Sequence, residues 1–194
     1  ILGARPTASF DAQRLADGRF SLRDLQAAGA GLKVQASGGR GLIGGLNFKG
    51  KAEVSNLAAA RTGAKGSASA TWSATQGGPG KPWTLTADAR GAKFASGYAE
   101  LDRLLGASPR ASAKGNIQDG KISLASAELN GAAVKATSAG VLENGALKFK
   151  LDWSADGPFR AGPVEITGKA SGSGAVTGTL GEPRADLLAD FEAL

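Results

Sequence analysis

Three closely spaced carboxylates near the C-terminal end, Asp186, Asp190 and Glu192, are the residues best placed for acid–base work. Two carboxylates flanking a cleft can hydrolyse a glycosidic bond. On alternating strands, however, the three read as solvent-facing side chains. Two glycine-rich strings invite a phosphate-binding reading. Gly39-Arg40-Gly41-Leu42-Ile43-Gly44 matches the dinucleotide fingerprint, and Gly45 to Lys51 has the glycine spacing of a phosphate loop. Both need a strand before them and a helix opening after them. Here Leu46-Asn47-Phe48-Lys49 and Ala52-Glu53-Val54-Ser55 continue as strands, and Ala52 stands where a magnesium-holding Ser or Thr belongs. The chain contains no Cys, Met or His. That excludes the usual zinc sites, thiol nucleophiles, Ser-His triads and haem ligation. Chemistry would rest on Asp, Glu, Lys, Ser or Tyr98, so the expectation is a protein that is not an enzyme and uses no cofactor or metal.

What remains is a question of surfaces. The net charge is +6, but Lys and Arg are scattered without a basic run. This reads as the solvated side of strands, with no nucleic-acid partner; a basic outer face would also attract anionic lipid headgroups. Thirty glycines beside 6% aromatics predict a thin structure. No apolar run reaches the roughly 18 residues of a membrane helix. The start at Ile1-Leu2-Gly3, without a start methionine or leader, is read as that of an excerpt whose targeting information lies elsewhere.

Period-two alternation dominates the chain. Leu147, Phe149, Leu151 and Trp153 alternate with Lys148, Lys150 and Asp152. Side chains on a strand point alternately to opposite faces, so this segment has one apolar and one charged face. Trp83, Leu85, Ala87 and Ala89 repeat the device, as do Ala68, Ala70, Trp72 and Ala74, then Leu32, Val34 and Ala36, and the pair Ile122 and Leu124. Asp17-Gly18, Asp119-Gly120, Asn130-Gly131 and Asn144-Gly145 fit turns in which both central residues take positive φ. A hairpin meander is predicted from about Ser108 to Ser154. The stretch Gln76 to Pro82 reads as a loop. One short helix is expected near 98–105, with Leu101, Leu104 and Leu105 on one face, Ser96 capping its start and Gly106 just past its end. The domain expectation is a single β-groove segment over 1–194, with sub-blocks 1–96 and 97–194.

From near Tyr98 to the end the chain resembles the TamB family of AsmA-like envelope proteins. The resemblance is carried by Leu101-Asp102-Arg103-Leu104-Leu105-Gly106, Ala113-Lys114-Gly115-Asn116-Ile117, Asp119-Gly120-Lys121-Ile122-Ser123-Leu124, Leu129-Asn130-Gly131-Ala132 and Ala139-Gly140-Val141-Leu142. Gly174 to Pro183 is similar to a G-x-V-x-G-T-L-x-x-P unit that recurs in the family, and Arg184 to Ala189 looks like the strand that begins the next unit. The first half shares only the style, as in Phe20-Ser21-Leu22-Arg23-Asp24-Leu25. The resemblance implies an all-β fold, a long antiparallel meander curled into a taco-like, solenoid-like groove. It implies a periplasmic location within a protein anchored in the inner membrane. It also implies a role in moving phospholipid, or nascent outer-membrane protein segments, towards the outer membrane, with a TamA-like barrel as partner through parts outside this segment. It brings no catalytic residues.

The groove lining expected on this basis is Trp72, Trp83, Leu85, Ile122, Leu124, Leu147, Phe149, Leu151 and Trp153. Indole and aliphatic side chains pack well against acyl chains. The rival reading is a purely structural solenoid or sandwich whose stripe is sealed by its own chain.

Overall fold

The computed structural model describes residues 5–161 and 164–192. The chain forms one long antiparallel sheet, as the alternation predicts. Its strands are β1 (Thr7–Arg14), β2 (Phe20–Ala28), β3 (Leu32–Arg40), β4 (Leu46–Val54), β5 (Lys65–Gln76), β6 (Trp83–Ala95), β7 (Arg110–Gln118), β8 (Lys121–Asn130), β9 (Val134–Glu143), β10 (Ala146–Asp156), β13 (Lys169–Thr179), β14 (Pro183–Leu187) and β15 (Asp190–Phe191). A separate small hairpin pairs β11 (Phe159–Ala161) with β12 (Val164–Ile166). Each long strand pairs with its predecessor in sequence, except that β13 follows β10 across the small hairpin; β14 and β15 both pair with β13. β1 and β14 stand at opposite ends of the order, so the sheet is open and does not close into a barrel. The sheet passes without interruption from β6 to β7, where eight consecutive residue pairs are in register from Trp83–Ile117 to Arg90–Arg110.

The two margins of the sheet differ. One carries short connections, and there the expected glycine turns are found. Asp119 and Gly120 have φ of 48° and 76°, and Asn144 and Gly145 have 50° and 77°. These are the doubly left-handed turns whose twist matches that of the flanking strands. Asp17-Gly18 and Asn130-Gly131 depart from the expectation. Only Gly18 takes positive φ, within the longer connection from β1 to β2, and neither Asn130 nor Gly131 does. The Gly131 amide instead donates to the Val134 carbonyl at the start of β9.

The opposite margin carries the described elements that lie outside the main sheet: a 3-10 turn (Leu57–Ala59), the helix α1 (Ala99–Leu105) and the β11–β12 hairpin. α1 lies where the sequence places it, and Gly106 ends it with φ of 68°. Its start is built differently. Tyr98 is the cap residue and makes no side-chain capping bond. Ser96 sits two residues earlier, and its hydroxyl accepts from the Tyr98 amide at 3.2 Å. The Asp102 carboxylate reaches back to accept from the amides of Ser96 and Gly97. These hydrogen bonds, first from the Ser96 side chain and then from its backbone, hold the Asp102 carboxyl below its ordinary value of 3.8.

Among the described residues, the one dry cluster lies at this margin. Ala155, Phe159, Ile166 and Ala170 are buried together, with Leu104, Val134 and Trp153 packed around them. α1 and the small hairpin thus fold over one end of β10 and β13. The rest of the sheet is a single layer, and among the described residues Ile166 is the one large side chain buried to below 2% exposure.

Two outcomes follow. Ile166→Ala should lower unfolding free energy in urea by about 2–5 kcal/mol, whereas Leu42→Ala, at a side chain 78% exposed, should stay within about 0.5 kcal/mol. Because the folded pKa of Asp102 is depressed, its contribution is present above the ordinary value of 3.8 and is lost as pH falls through the lower folded value. Asp102→Asn should therefore reduce the acid sensitivity of unfolding below about pH 4, read from urea midpoints across the acid range.

Candidate functional site

Antiparallel pairing places directly opposed residues on the same face, so the registers can be followed strand by strand across the sheet. One such row runs Ala12, Leu22, Gly38, Phe48, Ala74, Leu85, Gly115, Leu124, Gly140, Phe149, Val176, Ala185. It crosses from β1 to β14 without one polar side chain. The neighbouring row runs Phe10, Leu25, Ala36, Gly50, Trp72, Ala87, Ala113, Ala127, Ser138, Leu151, Gly174, Leu187, and its only polar member is Ser138. The Ser138 hydroxyl donates to the Lys150 carbonyl at 2.8 Å, which removes its free donor from the surface.

The nine residues expected to line a groove all belong to this face. Trp72 and Leu151 lie in the second row, and Leu85, Leu124 and Phe149 in the first. Trp83, Ile122 and Leu147 lie in a third row towards the short-turn margin, where Trp83 pairs with Ile117, Ile117 with Ile122, Ile122 with Leu142 and Leu142 with Leu147. Trp153 lies towards the opposite margin, paired with Ala136 and Gly172, against the dry cluster. Of the nine, only Leu147 is buried, at 9% exposure, and Ile122 is exposed at 38%. The others are half-buried.

Local geometry explains how this face stays thin. Its larger rings lie beside glycines of adjacent strands. A Cβ on Gly50 would come within 2.6 Å of the Trp72 ring, one on Gly38 within 2.6 Å of the Phe48 ring, and one on Gly140 within 2.9 Å of the Phe149 ring. Each ring therefore reclines over bare backbone, which a side chain at that glycine would forbid. Phe48 and Trp83 stack with centroids 6.3 Å apart. Between the bulky groups, Ala87, Ala89, Ala111, Ala113, Ala127 and Ala136 present only methyls, and with Leu129 and Leu151 they help line a concavity of about 480 Å³. Residues from β6 to β10 share this one hollow. At the usual strand spacing β6 and β10 stand about 19 Å apart, so the hollow extends across five strands.

The reverse face carries the complementary row Gln35, Lys51, Thr71, Asp88, Ser112, Glu128, Thr137, Asp152, Ser173. Asp186 and Asp190 belong to that side, opposite Ala175 and Ser171, and they and Glu192 are exposed. Among the described residues no group of three Asp or Glu gathers as a metal site would require. The two glycine strings are parts of β3, β4 and the loop between them, with no helix directly after either. No helix of the described residues is long and apolar enough to cross a membrane.

The sequence reading missed part of this face. The alanine floor belongs to alternating runs that are visible in the sequence, but small residues do not announce a surface. Phe159 and Ile166, which close one end, lie outside any long alternating run. At the closed end the Arg103 guanidinium lies 5.4 Å from the Phe159 ring centroid and donates to the Asp156 carbonyl at 3.4 Å. The Trp153 indole nitrogen is buried there without an acceptor among the described residues.

No protein-family model, curated protein or solved structure matches this chain.

Gly50→Val should displace the Trp72 ring from its seat. The expected result is a loss of about 1–3 kcal/mol in denaturant unfolding together with a shift in tryptophan emission. Gly77→Val, where a Cβ meets nothing within 4 Å, should change neither.

Proposed function

We propose that this sheet is a carrier surface for the acyl chains of phospholipids, in a segment of a periplasm-spanning envelope protein of the TamB-like kind. The observation that carries the reading is the pair of uncharged rows crossing all twelve strands on the path β1 to β10, β13 and β14. A face kept free of charge over so many strands, and left half-exposed by its own chain, has a use only if something apolar lies against it.

The energetics favour such a guest. Each methylene transferred from water gains about 0.8 kcal/mol, so a chain of about sixteen carbons avoids roughly 12 kcal/mol of exposure. Twelve strands spaced about 4.8 Å apart give a track on the order of 55 Å long. Trp72, Trp83, Leu85, Ile122, Leu124, Leu147, Phe149, Leu151 and Trp153 supply contact area along it, and the alanine floor leaves room above β6 to β9. Because the backbone groups of inner strands are spent on neighbouring strands, no unpaired donor or acceptor faces the guest. No proton or electron transfer is required of any residue. A headgroup would stay wet at the short-turn margin, the margin not closed by α1 and the β11–β12 hairpin. Nascent outer-membrane protein segments, whose outward faces are also apolar, are a second cargo of the same chemistry, and a TamA-like barrel is the partner this reading assigns to the whole protein.

The test uses photo-reactive side chains. A benzophenone residue replacing Leu85 or Leu151 should crosslink to phospholipid when the chain is incubated with vesicles and illuminated. The same residue replacing Thr86 or Lys150, one position along on the reverse face, should give at least about tenfold less product, the ratio that a preference of about 1.4 kcal/mol implies. Equal labelling from both faces, or none from either, would sink the carrier reading and leave a purely architectural sheet.

A further inference from the structure

A second feature lies on the reverse face. Arg90 on β6 and Arg110 on β7 are direct cross-strand partners. Like charges placed opposite one another repel, and among the described residues neither guanidinium lies within 4.0 Å of a carboxylate. Their row continues to Ser69 and then Glu53 on one side, and to Asn130 and then Lys135 on the other, so the four strands β5 to β8 present donors and no acid within it. Arg90 Nε donates to Ser69 Oγ at 3.2 Å, which turns the fork and leaves its terminal nitrogens free.

The surroundings form a hollow of about 490 Å³ lined also by Lys51, Thr71, Asp88 and Ser112. Three acids lie near. Glu53 is engaged first by Lys51, to which it is paired, and feels Lys33 and Arg90 more weakly. Asp88 is the partner of Thr71 and Ser112, one row further along the strands, and Glu128 continues that row. Lys33, Lys51, Arg90, Arg110 and Lys135 against Glu53, Asp88 and Glu128 leave two positive charges uncompensated.

We infer that this hollow is a binding site for a phosphate-type oxyanion clamped between Arg90 and Arg110. The planar guanidinium forks suit the tetrahedral oxygens of a phosphate group, and two arginines facing each other can each give a bidentate contact. Ser69 and Asn130 complete the ring of hydrogen-bonding groups, and Asp88 keeps the anion to the Ser69–Asn130 side. The same chemistry is offered by a free phosphate and by an anionic lipid headgroup. The site faces away from the apolar rows, so it does not depend on the carrier reading.

The experiment titrates the chain with inorganic phosphate at low salt, with sodium chloride at matched ionic strength as the blank, by calorimetry and by phosphorus NMR line width. In parallel, flotation measures binding to phosphatidylglycerol vesicles against phosphatidylcholine vesicles. The variants are Arg90→Gln with Arg110→Gln, and, as a control of equal charge change on the same face, Lys148→Gln with Lys150→Gln; their urea midpoints check folding. The arginine variant should weaken binding by at least about tenfold for each charge-assisted hydrogen bond removed, while the lysine control should retain it. Weakening confined to the phosphate arm identifies a free anion as ligand, and weakening in the vesicle arm identifies a headgroup. If the wild-type chain shows no saturable response in either arm, or the two variants behave alike, the site does not exist.

Discussion

The structure depends on parity. A strand sends successive side chains to opposite faces, and an antiparallel ladder passes that assignment to the next strand without change. Over twelve strands a single uncorrected slip would turn every later apolar residue outwards. The chain slips several times, and each slip is absorbed. The bulge between Leu124 and Ala127 on β8 spends two residues, so Leu124 and Ala127 face the same way as their partners Gly140 and Ser138. The irregularity between Leu22 and Leu25 on β2 does the same opposite Gly38 and Ala36. Bulges also increase local twist. Hollows lie on opposite faces over overlapping strands: the methyl-lined one over β6 to β10 and the arginine-lined one over β4 to β8.

Much of this was legible in the sequence because its code has period two. Leu147 to Trp153 gives its faces at sight, and Trp83 to Ala89 likewise. The glycine turns at 119–120 and 144–145 mark the registers between them. The paired strands β7 to β10 therefore fall where the residues say they should. The helix was legible for a different reason, since Leu101, Leu104 and Leu105 break into a 3.6-residue pattern. Its start was not, because the capping carboxylate comes from Asp102 inside the helix and reaches backwards.

What could not be read is what depends on contacts between distant residues. Nothing near Gly50 says that the Trp72 ring will rest on it, since the two are brought together only by the β4–β5 register. Phe159 and Ile166 acquire meaning only when the small hairpin folds back onto Ala155 and Ala170. Arg90 and Arg110 look like ordinary surface charges until the β6–β7 ladder sets them face to face. The apolar face was therefore foreseeable as a stripe, whereas its thickness, its closed end and the charge behind it belong to the fold.

The near absence of a central core has a further consequence. Each long strand touches chiefly the strands beside it, so cohesion is handed along the stack from neighbour to neighbour, as in a row of coupled units. Such an assembly has no single keystone. Injury in one place loosens the strands around it and leaves the remote ones paired, and the free energy holding the whole together grows with the number of strands rather than with the volume they enclose.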